Sequence, residues 1–370
     1  MQLVIMKLPH LPDVLCERIC AAAERFNCEI VGVVSLEKKP STTTVKGYPV
    51  LPLINILDLK WDAAILVCED ENFFSATVQR LIKIGIGTRE KFKSPLWLLK
   101  QIMTAKYKNC ADPVIQETLR YWRTHEISVF NQHLDLKADV ADKLFFDENC
   151  GLPYIHFKTI GGERRRMYFT PDKEFSTLEG ENFVVDILLE QRPTSPHVYT
   201  KDNHQVRAGD ILIDAGVCEG NFALRYVDIC SKLYLFEPEA KYVAALQQTF
   251  KDYRDKVEII PRYVTDITDA ENITLDDALP DLRGKNIFLK MDIEGAEPKA
   301  LRGAKNLLTN NKVRASVCTY HNADDLIKVE DIFNRYGFRT STSAGYMVFL
   351  HDPKIFETAD FRKGVLYAAN

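Results

Sequence analysis

The first part of the chain alternates short apolar runs with an amphipathic helical pattern. Residues 2–6 form a candidate strand, and residues 13–26 carry the apolar spacing of a helix. Two β-branched runs, at 29–34 and 63–68, are typical of buried parallel strands. Together these patterns predict a small Rossmann-like α/β domain over residues 1–94.

This predicted domain lacks the glycines of a dinucleotide-binding turn. The turn at 7–12, after the first strand, contains two prolines, and the first glycine of the chain is Gly32. Because a pyrophosphate requires close approach of the backbone at that turn, we predict no dinucleotide site here.

Residues 95–148 change to a helical pattern. The dipeptide Asp112-Pro113 is a typical start for the second of two predicted helices. We interpret this stretch as a helical connector.

A β-rich segment is predicted over residues 149–200. Two apolar runs flank Gly161-Gly162 there in the manner of a hairpin. The three arginines at 164–166 are predicted at its tip, either as solvated charges or as contacts to a phosphorylated substrate.

A strand, a glycine turn and a helix begin the last predicted domain, residues 201–370. The strand ends in Asp214-Ala215-Gly216-Val217-Cys218-Glu219-Gly220-Asn221. Gly216 permits a sharp exit from the strand, and Gly220 lets the helix N-terminus lie close to a ligand. Asp214 would repel the phosphates of a dinucleotide, but it can pair with a cation such as the α-ammonium of S-adenosylmethionine. We predict cofactor contacts at Asp214, Gly216, Gly220 and Asn221.

Two later strand ends add candidate contacts to this cofactor. The strand predicted at 233–236 ends in Glu237-Pro238, 23 residues after Asp214, where an acid accepts hydrogen bonds from ribose hydroxyls. Thr265 and Asp266 follow the next predicted strand, where such folds enclose the adenine. Asp266 is predicted either to meet the adenine amine or to cap a local turn.

Three charges occur close together in the fourth predicted strand of this domain. Lys290, Asp292 and Glu294 alternate with apolar residues, so we expect them on one face of the strand. Since burial of unpaired charge is costly, they should pair together or line a wet cleft at the carboxyl edge of the sheet. Glu297, which precedes Pro298, is explained more simply as an acid at a helix N-terminus.

A fifth predicted strand over 314–319 leads to His321. Strands four and five should be neighbours, so His321 and Asp292 should emerge at the same edge, where His321 is either catalytic or structural. Residues 338–342 and 346–350 are predicted to form a closing hairpin.

Composition narrows the class of ligand. The 370 residues include 46% hydrophobic residues, enough for two cores, and 48 Lys plus Arg against 52 Asp plus Glu, a net charge of −4. This balance argues against a nucleic-acid or anionic-membrane partner.

The nine cysteines form no CxxC pair and no apolar run reaches membrane-spanning length, so we predict a cytoplasmic protein with reduced thiols. Asp292, Glu294 and His321 are a conceivable set of ligands for a divalent metal, but two carboxylates and one imidazole without supporting spacing are a weak signal, and we predict no metal.

The residues from Ala208 to about Leu350 resemble the FkbM-like S-adenosylmethionine-dependent methyltransferases. The motifs that carry the resemblance are Asp214-x-Gly216-x-x-x-Gly220, Phe236-Glu237-Pro238, Thr274-Leu275-Asp276-Asp277 and Lys290-x-Asp292-x-Glu294-Gly295-Ala296-Glu297 with Leu301-x-Gly303-Ala304. The resemblance implies a Class I methyltransferase fold, a Rossmann-like sheet of seven strands with the last antiparallel. It also implies O-methylation of a hydroxyl on a sugar or related natural product. In the glycine turn, Cys218 and Glu219 differ from many members of this family, which carry a small residue and Asn there.

Methyl transfer to a hydroxyl requires alignment and removal of a proton. We predict His321 or Asp292 as the base, with Glu294 and Lys290 orienting the substrate or fixing the protonation of the base. Asp292 is also a candidate contact to the methionine end of the cofactor. The predicted acceptor is a small carbohydrate or a polysaccharide precursor, and assembly as a homo-oligomer is left open.

The sequence leaves rival functions open. One is an NAD-linked sugar-modifying oxidoreductase, which the absence of GxGxxG disfavours. Another is a non-catalytic carbohydrate-binding protein with a degenerate methyltransferase core. The predicted cofactor residues are equally compatible with methylation of RNA or protein. RNA is disfavoured by the absence of a basic, aromatic-rich pattern in the sequence.

Overall fold

The structure is a computed structural model that describes residues 1–8, 11–37, 40, 42–68, 71–130, 144–171, 184 and 187–370. Its contacts divide the chain into two compact units, Met1–Asn131 with Phe349–Phe361, and Gln132–Val348 with Arg362–Asn370. The domain boundaries drawn after residues 94, 148 and 200 do not coincide with these units and stay predictions. Parts of the predicted connector, at 131–143, and of the predicted β-rich segment, at 172–183, lie outside the described residues.

The first unit contains, in its described part, a six-stranded sheet of order β3-β4-β2-β1-β5-β6. All neighbouring pairs are parallel except β3 with β4. The predicted strands at 2–6, 29–34 and 63–68 are its three central strands, whose apolar runs are buried. The strands are β1 (Gln2–Lys7), β2 (Glu29–Ser35), β3 (Thr44–Val45), β4 (Tyr48–Pro52), β5 (Ala63–Val67) and β6 (Phe92–Lys93), with 3-10 turns at Leu53–Asp58 and Arg89–Lys91.

Two helices of this unit begin at a residue whose side chain caps the helix. Ser94 accepts a hydrogen bond from the N–H of Trp97, and Asp112 accepts bonds from Val114 and Ile115, each just ahead of a proline. The helices are α1 (Asp13–Arg25), α2 (Glu71–Lys83), α3 (Pro95–Tyr107) and α4 (Pro113–Tyr121), and a short helix at Ile355–Thr358 joins them from the later segment.

The second unit begins, in its described part, with a three-stranded antiparallel sheet of β7 (Phe145–Asp147), β8 (Leu152–Lys158) and β9 (Arg164–Tyr168). The hairpin predicted around Gly161-Gly162 is present, but the three arginines are not at its tip. They lie within β9, because Lys158 pairs with Arg164 and the turn closes before them. Arg166 forms an ion pair of 2.9 Å with Asp147.

A seven-stranded sheet of order β12-β11-β10-β15-β16-β18-β17 follows among the described residues. The strands are parallel except β18, which is antiparallel to both neighbours. This is the α/β sheet that the resemblance implies, so the predicted fold class is confirmed. The strands are β10 (Ile211–Ala215), β11 (Lys232–Phe236), β12 (Val257–Ile260), β15 (Asn286–Met291), β16 (Lys312–Cys318), β17 (Arg339–Thr342) and β18 (Val365–Ala369), and β13 (Tyr263–Val264) pairs separately with β14 (Asn272–Ile273).

Two elements of this unit differ from the prediction. The strand β17 pairs with β18 and not with 346–350, because 349–361 belong to the first unit and the chain returns only for its last strand. The helix predicted to begin at Glu297 ends before Gly303, where an added Cβ would lie 2.4 Å from the carbonyl oxygen of Thr265, and a second helix follows. The helices are α5 (Asn221–Tyr226), α6 (Ala240–Thr249), α7 (Leu275–Ala278), α8 (Glu297–Arg302), α9 (Lys305–Thr309) and α10 (Asp325–Arg335), with a 3-10 turn at Lys251–Tyr253.

None of the helices in the described ranges has both the length and the apolar character needed to cross a membrane.

Candidate active site at the carboxyl edge of the seven-stranded sheet

The glycine turn after β10 is attached to the strands on both sides. Gly216 donates to the carbonyl of Phe236 at 3.0 Å, and the N–H of Asp292 donates to the carbonyl of Ala215 at 3.0 Å. Gly216 has φ of +78°, and a Cβ there would lie 1.7 Å from the carbonyl oxygen of Asp292. Only glycine allows the backbone at Gly216 to lie this close to the backbone of Asp292, so Gly216 positions the segment that carries Asp292.

Gly216→Ala is expected to destabilise the protein by about 3 kcal/mol, because it adds a backbone clash to the strain of a positive φ. Gly209→Ala is the matched control, since Gly209 has φ of +81° with nothing within 4 Å of its added Cβ. The control should cost only about 1 kcal/mol. Urea unfolding of the two variants measures the difference, and equal losses would mean that the close approach to Asp292 is not required.

Glu237 closes the turn from the end of β11. Its carboxylate is buried and accepts hydrogen bonds from the N–H groups of Cys218, at 3.0 Å, and Glu239, at 2.9 Å. Burial raises the pKa of Glu237 despite these two bonds. Pro238 follows it directly, and Asn221 begins α5 by accepting a bond from the N–H of Phe222 at 2.8 Å. The predicted cofactor residues Gly216, Gly220, Asn221, Glu237 and Pro238 therefore share one loop region.

Asp214 and Lys290 form a buried ion pair across neighbouring strands. Their side chains are 1% and 5% exposed, and Lys290 Nζ lies 3.0 Å from Asp214 Oδ1. Lys290 also donates to the carbonyl of Gly216. Burial alone would lower the pKa of Lys290, but the carboxylates of Asp214 and Asp292 outweigh it and raise this pKa. Asp214 is predicted from the sequence to pair with a cofactor ammonium; its cation in the structure is Lys290, because the strand register places the two residues opposite each other.

Asp292 is the centre of a group of polar side chains that we call the Asp292 cluster. Its Oδ2 accepts from the hydroxyl of Tyr199 at 2.8 Å and lies 3.2 Å from His197 Nε2. Its Oδ1 accepts from the hydroxyl of Tyr320 at 3.2 Å and lies 3.4 Å from His321 Nε2. The cluster consists of Asp292, His197, Tyr199, Tyr320 and His321, with Glu190 and Glu297 behind the two histidines.

The cluster keeps Asp292 ionised. Burial alone would raise the pKa of Asp292, but the hydrogen bond and charge of His197 outweigh it, followed by the charges of His321 and Lys290, and hold this pKa well below its ordinary value. A carboxylate with so low a pKa accepts a proton poorly. Asp292 is therefore suited to hold a hydroxyl or a cation in place.

His321 lies where the sequence predicts it, beside Asp292 at the end of β16. Its Nδ1 lies 3.2 Å from Glu297 Oε1, and this glutamate is fully buried. Burial alone would lower the pKa of His321, but the hydrogen bond to Glu297 and the nearby carboxylates outweigh it and raise this pKa. Glu297 does begin α8, as the helix N-terminus prediction requires, yet its carboxylate also contacts His321 and accepts from the N–H of Ile293 at 2.9 Å. The prediction missed this contact.

Glu294 does not share a strand face with Lys290 and Asp292. Strand β15 ends at Met291, so the alternation of side chains stops before Asp292. Glu294 has φ of +55°, and its side chain is 87% exposed, with Oε2 3.7 Å from His321 Nε2. It therefore lies at the solvent side of the cluster.

Thr265 and Asp266 are linked to a different partner. Asp266 Oδ2 accepts two hydrogen bonds from Arg302, at 2.9 and 3.2 Å, and its Oδ1 accepts from Thr265 at 3.3 Å. The bond to Arg302 lowers the pKa of Asp266. A cofactor contact at these two residues stays a prediction.

His197, Tyr199 and Glu190 are site residues that the sequence does not predict. His197 and Tyr199 alternate around Val198 ahead of β10, in a stretch that carries no motif. Their only sequence signal is this alternation, and neither residue lies in a strand. Ligand atoms of His197, Asp292 and Cys318, and of Asp292, Glu297 and His321, lie within 4.8 Å of one another among the described residues. Hydrogen bonds and ion pairs within the cluster account for these spacings, and the absence of a metal stays a prediction.

The order of the seven-stranded sheet defines a Class I methyltransferase fold. Within that class, residues 255–340 match the family model described as the methyltransferase FkbM domain. The matched segment contains Lys290, Asp292, Glu297 and His321. It confirms the resemblance drawn from the motifs, and the chain carries a methyltransferase domain.

Solved structures were also compared with the chain. Methyltransferase FkbM from Methylobacillus flagellatus KT is 16% identical with a TM-score of 0.43, over 99% of this chain and 89% of its own. Precorrin-6y C5,15-methyltransferase from Geobacter metallireducens GS-15 is 10% identical with a TM-score of 0.31, over 45% and 84%. An rRNA methylase from Streptococcus thermophilus is 11% identical with a TM-score of 0.29, over 45% and 88%. None of the curated proteins compared with the chain matches it. Likeness this low carries no argument about substrate.

Proposed function

We propose that the second unit is an S-adenosylmethionine-dependent methyltransferase that acts on a hydroxyl of a carbohydrate-type acceptor. The observation that supports this most is the juxtaposition of Asp292, His321 and Glu297 with the glycine turn after β10. Such a site combines a cofactor loop with a histidine able to accept a proton.

The residues around the glycine turn suit this cofactor. The cofactor, when bound, supplies an electrophilic methyl group on a sulfonium. Glu237 has lone pairs beyond its two backbone bonds for ribose hydroxyls. Asp214 Oδ2 is buried and accepts no hydrogen bond from any described residue, so this carboxylate has capacity for a further donor. Gly216 and Gly220, both with positive φ, leave the turn without side chains at these two points.

His321 is assigned the role of base. Its Nε2 faces the carboxylates of Asp292 and Glu294 on the solvent side, and its Nδ1 faces the buried Glu297. In a neutral His321 with its proton on Nδ1, directed at Glu297, Nε2 carries the lone pair that takes the proton of an acceptor hydroxyl. Asp292, whose side chain is 15% exposed, holds that hydroxyl. Lys290 orients the loop through Asp214 and Gly216.

Methyl-transfer rates are expected to rise with pH. His321 accepts a proton only when neutral, and its pKa lies above the ordinary 6.5, so the midpoint of kcat should also lie above 6.5. Glu297→Gln removes the carboxylate at Nδ1, lowers this pKa and should move the midpoint to lower pH. Initial rates from about pH 6 to pH 10 measure both midpoints. The exposed change Asp331→Asn on α10 is the control, and identical midpoints in wild type and Glu297→Gln would refute the role of Glu297.

Glu237→Ala is expected to weaken S-adenosylmethionine binding by about tenfold or more, since charge-assisted hydrogen bonds are lost. Glu237→Gln keeps one acceptor and should lose less. Glu258→Ala, on the adjacent strand, is the control, because Glu258 is exposed. Isothermal titration measures all three Kd values. Unchanged affinity in Glu237→Ala would exclude a ribose contact.

The carbohydrate acceptor is tested separately from the cofactor. Titration with NAD and with S-adenosylmethionine separates the methyltransferase from an oxidoreductase, and failure to bind either would favour a non-catalytic protein. Free and nucleotide-linked sugars, RNA and protein are then screened for methyl acceptance with labelled cofactor. Activity that persists with a chelator would support the absence of a metal.

A further inference from the structure

The Asp292 cluster has two arms that meet at one carboxylate. In the first arm, Glu297 contacts His321, and His321 contacts Oδ1 of Asp292. In the second arm, Glu190 Oε2 lies 3.5 Å from His197 Nδ1, and His197 Nε2 lies 3.2 Å from Oδ2 of Asp292. The proposed mechanism uses the first arm and assigns no role to the second.

The two arms face different surroundings. His321 Nε2 faces Glu294, whose side chain is almost fully exposed. His197 Nε2 faces Asp292 and the buried Sγ of Cys318, at 3.6 Å, and its ring packs against Tyr199 and Tyr320 with centroids 5.1 and 5.2 Å apart. The side chain of His197 is 3% exposed. A substrate at the solvent side would therefore contact the first arm and not His197.

We propose that His197, held by Glu190, is a positioning residue that keeps Asp292 ionised and sets the pH range in which His321 works as a base. The proposal rests on the function proposed above. His197 acts through Asp292 and has no contact with the reacting atoms.

The electrostatic reason is that both histidines share one carboxylate. Carboxylates at both ring nitrogens favour a charged His197, and although burial alone would lower its pKa, the hydrogen bonds to Asp292 and Glu190 raise it to about 9. A cation on one side of Asp292 opposes a second cation on the other side. His321 then loses its proton at lower pH than it would beside Asp292 alone.

Other charged and titratable groups face the two rings. Around His197 these are Glu190, Asp292, the thiol of Cys318 and the hydroxyls of Tyr199 and Tyr320. Around His321 they are Asp292, Glu294, Glu297 and Asp325, with Arg362 donating to its backbone carbonyl. Within these sets His197 is the one imidazole whose charge bears on His321 through a shared carboxylate.

His197→Gln tests the proposal, because glutamine can still donate to Asp292 but carries no charge. The acid limb of kcat should move to higher pH by about one unit, which means about a tenfold loss below the limb and near-normal rates at high pH. A merely structural role would lower kcat by the same factor at every pH. Glu190→Gln should shift the limb in the same direction by less, and it tests the arm without altering the buried ring.

His156→Gln on β8 is the matched control and should leave the limb in place. Titration of the His321 ring by NMR, with no acceptor present, gives a readout that does not depend on turnover. A higher pKa of His321 in His197→Gln supports the role proposed for His197, even if no acceptor is methylated. Failure to methylate any acceptor would count only against the proposed acceptor. If the ring titrates as in wild type in both His197→Gln and Glu190→Gln, the proposal is overturned.

Discussion

His321→Asn is expected to lower the rate of methyl transfer by about 10²- to 10⁴-fold, the usual contribution of a general base. Asparagine is close in size to the inner part of the ring and can still hydrogen-bond to Glu297, but it cannot take a proton from a hydroxyl. The affinity for S-adenosylmethionine should change little, because His321 follows β16 and lies outside the glycine turn after β10. Single-turnover rates with labelled cofactor, together with titration of the cofactor, measure the two effects separately.

The matched control is His351→Asn, an exposed histidine in the first unit. It should keep wild-type rates. Asp292→Asn should also abolish turnover, because it removes the negative charge that faces both histidines and replaces one of the two oxygens that accept from Tyr199 and Tyr320 by an amide NH₂. Rates within a few fold of wild type for His321→Asn would remove the base assignment, and unchanged rates for Asp292→Asn would remove the whole site.

Lys290→Met is expected to destabilise the protein by about 3–5 kcal/mol, because it leaves Asp214 buried without its cation. The two charges lie 3.0 Å apart in the middle of the sheet, so neither is hydrated. The midpoint of urea unfolding should fall below that of the wild-type protein. Far-ultraviolet circular dichroism measures this midpoint.

A double variant separates loss of charge balance from loss of packing. Lys290→Met with Asp214→Leu removes both charges and should recover most of the stability, since an apolar pair can replace a buried ion pair. Lys299→Met changes an exposed lysine and should cost almost nothing. If the double variant is as unstable as the sum of its single changes, the pair is not coupled.

The fold was predictable because its signals are local. Buried parallel strands are short β-branched runs, and the glycine turn and the cap at Asp112 stand next to the helices they begin. The prediction of a closing hairpin was wrong. The turn-like residues at 344–345 do not reveal that residues 349–361 belong to the first unit and that the last strand comes only after them. Strand partners distant in sequence carry no local signal.

The site was predictable in part. The expectation that Asp292 and His321 meet at one edge follows from strand order alone, and the structure places them 3.4 Å apart. The expectation for Glu294 failed because alternation applies only within a strand, and β15 ends three residues earlier. The role of Glu297 at His321 required the turn at Gly295, which bends the chain back toward β16.

What the sequence determined by itself was the class of the fold and the residues of its glycine turn. Periodicity and glycine spacing are properties of neighbouring residues, and each is decided by the backbone at that point. What only the tertiary structure decided was charge pairing: Lys290 with Asp214, Glu297 with His321, and Glu190 with His197. These pairs depend on distances between residues up to 76 positions apart, and electrostatic energy depends on those distances and on burial, neither of which is written in the order of residues.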